Sequence, residues 1–180
     1  KPKLLNKKNE LTTVDSVLKS LTNADVRKGE DLFMSIYGAN CSSCHQISGT
    51  GKNHAPDLSN IGDRADPKIL AEAILNPSQS ITEGFAAQMF KLKSGIIQTG
   101  IVLEETGREI KLAMTGGAVV NIQRDEIFER KGLPISALPA SFAELLNPQE
   151  VAHIISYLTK QRKTDSKKPK ESRSFNFERS

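Results

Sequence analysis

Cys41-Ser42-Ser43-Cys44-His45 decides the reading of this chain, because C-x-x-C-H spaces two thiols to take up the two vinyl groups of one haem. His45, beside the second thioether, is then held under the iron and supplies its proximal nitrogen. A zinc knuckle is the plain alternative. Zinc needs four ligands, and the chain offers two Cys and three His, with His54 and His153 at spacings that fit no common finger. A thiol redox pair does not need the histidine and sits in a βαβ setting that this sequence lacks. The expectation is one covalent haem c on Cys41 and Cys44, with His45 as the axial base.

Composition agrees. At 180 residues the chain can build a core, yet only 5% of it is aromatic and Trp is absent. A porphyrin would fill that deficit. Both cysteines are taken by haem, so no disulfide is expected. Covalent haem attachment takes place on the outer side of the bacterial inner membrane, which implies a periplasmic or exported location. No signal peptide is present, the chain opens at Lys1, and no apolar run approaches the ~18 residues of a membrane span. A processed product or an excised fragment is expected.

The formal charge of +4 is unevenly spread. Residues 160 to 180 hold eight Lys/Arg against three Asp/Glu and residues 1 to 10 hold four against one, leaving 13 basic and 17 acidic residues between. The middle is mildly acidic. The tail KQRKTDSKKPKESRS lacks apolar periodicity and reads as a solvated, disordered segment. No folded basic face or aromatic platform supports nucleic-acid binding.

Leu11, Val14, Leu18 and Leu21 make a short helical stripe, a tether or docking helix. Asn23 caps a second helix that runs through Gly29, Leu32 and Phe33 into Tyr37-Gly38 and the haem motif. Gly29 weakens that helix, which suggests a close helix crossing. The natural partner opens at Asn147-Pro148-Gln149-Glu150, with Val151, Ile154, Ile155 and Leu158 on one face and His153 off it, as a surface histidine. Asp66-Pro67 starts another helix that ends before Pro77. Then the period changes to two. Residues 88–92, 96–103, 110–114 and 119–122 read as four strands separated by Ser94-Gly95, Thr106-Gly107 and Gly116-Gly117. The expected fold is therefore mainly α, a helical haem domain with a small antiparallel β-meander inserted. Its parts are a tether or docking helix over 1–21, the haem domain over 22–159 with the insert at about 85–131, and a basic disordered tail over 160–180.

Gly29-x-x-Leu32-Phe33, CSSCH and GKNHAPDLSNI over 51–61 resemble a class I cytochrome c. Residues 24 to 159 resemble more closely the haem-binding domain of planctomycete, verrucomicrobial and Bacteroidetes proteins, often fused to or encoded near a β-propeller sugar dehydrogenase. The likeness extends to Arg64, AILNPSQSI, KLKSGIIQTGIVLEE, SALP and the final YL. It implies a compact helical haem fold that passes electrons between a dehydrogenase and the respiratory chain. It also implies that the Pro56 carbonyl accepts the second N–H of His45, that Leu58 shapes the proximal pocket and that Phe33 packs near the porphyrin edge. Arg64 is either a bidentate partner of a haem propionate or a surface arginine at a helix start.

One position departs from that pattern. The resemblance puts a distal sulfur ligand in a Ser-x-Met-Pro segment, and here Ser136-Ala137-Leu138-Pro139 has leucine. Met89 is the first candidate for the vacated sixth position, Met114 the next, and an open or water-bound site follows. Met34 reads as core, and His54 belongs to the proximal loop. A thioether on iron raises the potential and suits electron transfer, whereas an open site binds oxygen, nitric oxide or carbon monoxide. The leading reading is a single-haem electron carrier with a dehydrogenase-type redox partner and no substrate chemistry of its own. The second is a haem sensor or small-ligand binder. A peroxidase would need a distal acid/base pair that the sequence does not offer.

Overall fold

The computed structural model describes residues 11–137 and 142–163. Most of the predicted tail, and Leu138 and Pro139, lie outside the described residues.

Helix α1 (Val14–Ser20) starts at a capping box between Thr13 and Ser16, and α2 (Val26–Met34) starts where the Asp25 carboxylate accepts the N–H groups of Arg27 and Lys28. The tight turn Cys41–Ser43 follows, then a minimal hairpin of β1 (Gln46–Ile47) and β2 (Thr50–Gly51). Helix α3 (Pro67–Leu75) is capped by Asp66. A five-stranded antiparallel sheet then interrupts the helices: β3 (Ala86–Leu92), β4 (Ile97–Glu105), β5 (Glu109–Met114), β6 (Val119–Gln123) and β7 (Ile127–Ser136), in the order β6-β5-β4-β3-β7. The short α4 (Phe142–Leu145) leads into α5 (Pro148–Leu158), whose start is a second capping box between Asn147 and Glu150 with Pro148 in the first turn.

Two apolar cores result. Val17, Phe33, Leu70, Ala71, Leu75, Val151 and Ile155 join in the helical one, while Phe90, Ile110, Leu112 and Ile122 form the other inside the sheet. Helix α5 is the hub, packed by α1, α2 and α3. A Cβ on Gly29 would lie 2.0 Å from the His153 carbonyl oxygen, so only glycine lets α2 and α5 approach as they do.

The expectation of a mainly α protein is corrected. The described residues are about 35% helical and 28% strand, and a sheet of five strands stands beside the helices. The difference lies in β7, which holds Glu129, Arg130, Lys131, Gly132 and Pro134 and so carries no period-two apolar signal. It is an edge strand beside β3, and Pro134 falls where the register with β3 shifts, between Gly132↔Gln88 and Ser136↔Ala86. An edge tolerates proline and charge because one side of the strand pairs with nothing. His153 also differs from its reading as a surface residue. It is 8% exposed, and its Nδ1 accepts the Asp25 N–H at 2.8 Å. Burial on several sides of α5 is what the single-face reading missed.

Candidate haem-attachment site

The five residues quoted first form one turn. Asn40, in the left-handed region at φ 52°, bends the chain out of the segment after α2, and the Cys41 carbonyl then accepts the N–H groups of Cys44 at 3.1 Å and His45 at 2.9 Å. Asparagine tolerates that region better than other side chains with a Cβ. The two serines fasten the turn: Ser42 Oγ donates to the Met34 carbonyl at 3.2 Å, and Ser43 Oγ to that of Asn40 at 2.8 Å. On the far side, the Cys44 carbonyl accepts the N–H groups of both His54 and Ala55 at 2.9 Å. Gly51, at φ 97°, permits a close pass, since a Cβ there would lie 2.3 Å from the His45 carbonyl oxygen.

That loop orients the imidazole. His45 Nδ1 lies 2.8 Å from the Pro56 carbonyl oxygen. A carbonyl only accepts, so Nδ1 carries the proton and Nε2 is left with its lone pair. Burial holds the His45 pKa below its ordinary value, against the opposing pull of the Pro56 hydrogen bond, and keeps the ring in the neutral form that ligates metals. Cys41 and Cys44 are free thiols. Cys41 is half-buried against the helical core, and burial pushes its thiol up to about 12. The donor set fits a c-type haem: two unpaired thiols on one turn, and one neutral imidazole whose second nitrogen is aimed by a backbone carbonyl.

The other predicted residues take different places in the fold. Leu58 donates its N–H to the Gln46 carbonyl at 2.9 Å and packs half-buried on the helical core. Phe33 is fully buried there, its ring 5.6 Å from that of Tyr157. Arg64 is exposed, and its Nη2 donates to the Asp57 carbonyl at 3.1 Å. Met89 lies in mid-strand on β3, opposite Thr99 on β4 and Lys131 on β7.

The sequence reading missed one contact. The β5–β6 hairpin turns through Gly116 at φ 88° and Gly117 at φ 84°, and Gly117 presses on the CSSCH turn: a Cβ there would lie 2.5 Å from the Ser43 carbonyl oxygen. Gly116-Gly117 was legible as a turn signal, but nothing in the local pattern says which surface a turn meets. Lys111, on β5, also reaches the site's electrostatics. Its charge and that of Lys52 add to burial in holding the His54 pKa down.

Among the described residues no group of three or more His, Cys, Asp or Glu is placed to hold a metal ion, and no helix is long and apolar enough to cross a membrane. No curated protein sequence matches the chain. The model of the cytochrome c family matches residues 26–99, which span α2, the CSSCH turn, the Pro56 loop and α3. That match supports a cytochrome c class for this chain, and with it a covalently bound c-type haem and an electron-carrier role.

Proposed function

We propose that this chain is a single-haem c-type cytochrome that works in an exported or periplasmic compartment and passes electrons from a dehydrogenase, of the sugar-oxidising kind, towards a respiratory chain. The observation that carries the haem assignment is the hydrogen bond from His45 Nδ1 to the Pro56 carbonyl beside two free thiols on one turn. Haem bound there supplies a one-electron couple at its iron. Cys41 and Cys44 would anchor the macrocycle, and His45 Nε2 would ligate the iron. Pro56 fixes the ring's tautomer and raises its basicity as a ligand. Leu58 and Phe33 keep water from the proximal side, and Arg64 pairs with a propionate.

The partner and direction of electron flow rest on the resemblance of residues 24 to 159 to domains linked with dehydrogenases. Transient redox encounters bury little surface, and a small contact around the attachment turn suits that role. Sensing or small-ligand binding is the second reading, favoured by Leu138 at the position where the resemblance has methionine.

Protein matured in a host with a haem-attachment pathway should carry the mass of the polypeptide plus one haem, with haem and protein at one to one by absorbance. The Cys41→Ala/Cys44→Ala double variant should lose the covalent adduct. A wild-type mass equal to the bare polypeptide refutes the assignment. Prompt carbon monoxide binding by the reduced protein, with no sign of sulfur on the ferric iron, favours the sensor.

A further inference from the structure

We propose that Lys52, His54 and Lys111 form a cationic surface, shared between the loop that carries Pro56 and the inserted sheet, on which acidic side chains of the electron-transfer partner dock; the inference rests on the function proposed above. Three successive carbonyls of the CSSCH turn are each met by a neighbour. That of Ser42 accepts the Lys52 N–H at 3.0 Å, and that of Cys44 accepts the His54 N–H at 2.9 Å. Between them, Gly117 of the β5–β6 hairpin lies against the Ser43 carbonyl. Lys52 and His54 are thus fixed beside the attachment turn, and the hairpin brings β5, with Lys111, to the same seam.

The cluster runs against the charge around it. Between its basic ends the chain carries 13 basic and 17 acidic residues, yet here two ammonium groups stand near enough to one imidazole for both to act on it. Lys52 and Lys111 are exposed. The ion pairs among the described residues are Arg124 and Arg130 with Glu105 and Arg162 with Asp63, so neither lysine is neutralised by one. The acids next to Lys111 in the sheet are Glu104, opposite it on β4, and Glu109, two residues before it. Glu109 accepts from the Gln123 amide instead. Like charges held close repel one another, and an acidic partner surface relieves that repulsion while it steers the encounter.

His54 adds a second, independent sign. Its Nδ1 is, among the described residues, the one buried side-chain nitrogen or oxygen without a hydrogen-bond partner. Buried polar atoms nearly always have one, and an N–H there donates to a carboxylate that arrives from outside. The macrocycle's own carboxylates sit on its edge opposite the vinyl groups, so a haem joined through Cys41 and Cys44 turns them away from this seam. The acceptors come from another molecule. A partner that presses Asp and Glu side chains on Lys52 and Lys111 brings its own redox centre next to the thioether edge through a small, transient contact.

The test compares haem-loaded wild type, the seam variant Lys52→Glu/Lys111→Glu and a control with the same charge change, Lys68→Glu/Lys131→Glu, at exposed lysines of α3 and β7. Each reduced protein is mixed with ferricyanide, an anion, or with tris(phenanthroline)cobalt(III), a cation. The ferrous haem gives up one electron and the reagent takes it, and the ratio of the rates removes a common change in driving force. At low salt the seam variant should lower the anion-to-cation ratio about tenfold, an effect that fades at high salt, while the control stays within about twofold of wild type. Polyglutamate, as the docking probe, should shift the amide signals of Lys52, His54 and Lys111 in wild type and not in the seam variant. Far-UV dichroism reports the fold, and Lys52→Glu/Lys111→Gln carries the test if a glutamate opposite Glu104 unfolds the sheet. A seam variant whose ratio stays at the wild-type value, or is matched by the control, overturns the inference, as does polyglutamate binding confined to residues 160–180. A bare polypeptide mass sinks the haem assignment and this inference together, whereas an intact adduct with an unchanged ratio sinks the inference alone.

Discussion

At position 29 the absence of one carbon decides whether two helices meet. A Cβ on Gly29 would fall 2.0 Å from the His153 carbonyl oxygen and 2.9 Å from the Tyr157 Cβ, both on a buried helix that cannot give way cheaply. Gly29→Ala should therefore destabilise by about 3 kcal/mol despite alanine's better helix propensity, because forced overpacking outweighs the propensity gain of ~1 kcal/mol. Denaturant unfolding checks this, and a neutral or stabilising effect would show that the crossing is looser than described. His153 sits at the same crossing and yields a pH prediction. Burial first, and the Lys28 ammonium second, hold its pKa below the ordinary 6.5, with the Asp25 and Glu150 carboxylates pulling the other way. The unfolded chain then takes up the proton before the folded one does. This contribution is complete above pH 6.5 and is lost as pH falls from there through the lower folded value. His153→Gln keeps an acceptor for the Asp25 N–H but removes the titration. The stability difference between wild type and variant should shrink steadily across that acid window, and a difference that stays constant with pH would contradict the buried, neutral histidine.

Among the elements, the helices announced themselves and the last strand did not. Asp66-Pro67 and Asn147-Pro148-Gln149-Glu150 became N-termini in place, because capping is local: a side-chain oxygen meets a backbone N–H two or three residues on, and no distant partner is needed. The cap of α2 is Asp25 rather than Asn23, a shift of two residues within the same polar run. Strands β3 to β6 were visible through their period of two, whereas β7 pairs with β3 by register and hides most of its apolar signal among charges. The side chains of β7 serve the sheet differently: the Arg130 guanidinium lies 5.2 Å from the centre of the Phe90 ring and donates to Glu105, which also pairs with Arg124. Phe90 is the largest residue of the sheet core and is wholly buried. Phe90→Ala should cost about 3–5 kcal/mol, read by denaturant titration. A cost below ~1 kcal/mol would mean that the sheet's interior does not pack as one cluster.

For the molecule as a whole, the arrangement is two cores joined through a turn contact. Cys41 and Leu58 pack on the helical core, while the sheet has its own interior and touches the attachment turn through Gly117. Removing the proposed haem anchor should therefore loosen the two parts unequally. In the Cys41→Ala/Cys44→Ala double variant, amide hydrogen exchange should quicken across α2, the CSSCH turn and α5, while β4 and β5 keep most of their protection. Uniform loss of protection in both parts would show that the sheet depends on the helical core for its stability.

The donor set proposed to hold haem was legible in the sequence alone, since two thiols and an imidazole within five residues are held together by the chain itself and need no fold to become neighbours. The same holds for the caps at Asp66 and Asn147 and, as an expectation, for the Gly29 crossing. Tertiary structure alone decided that less than half, though much, of the regular structure among the described residues is strand, that His153 is buried, and that a hairpin seventy residues downstream rests on Ser43. Such contacts depend on where chain segments return in space, and an edge strand or a turn carries in its own residues no mark of the surface it will meet.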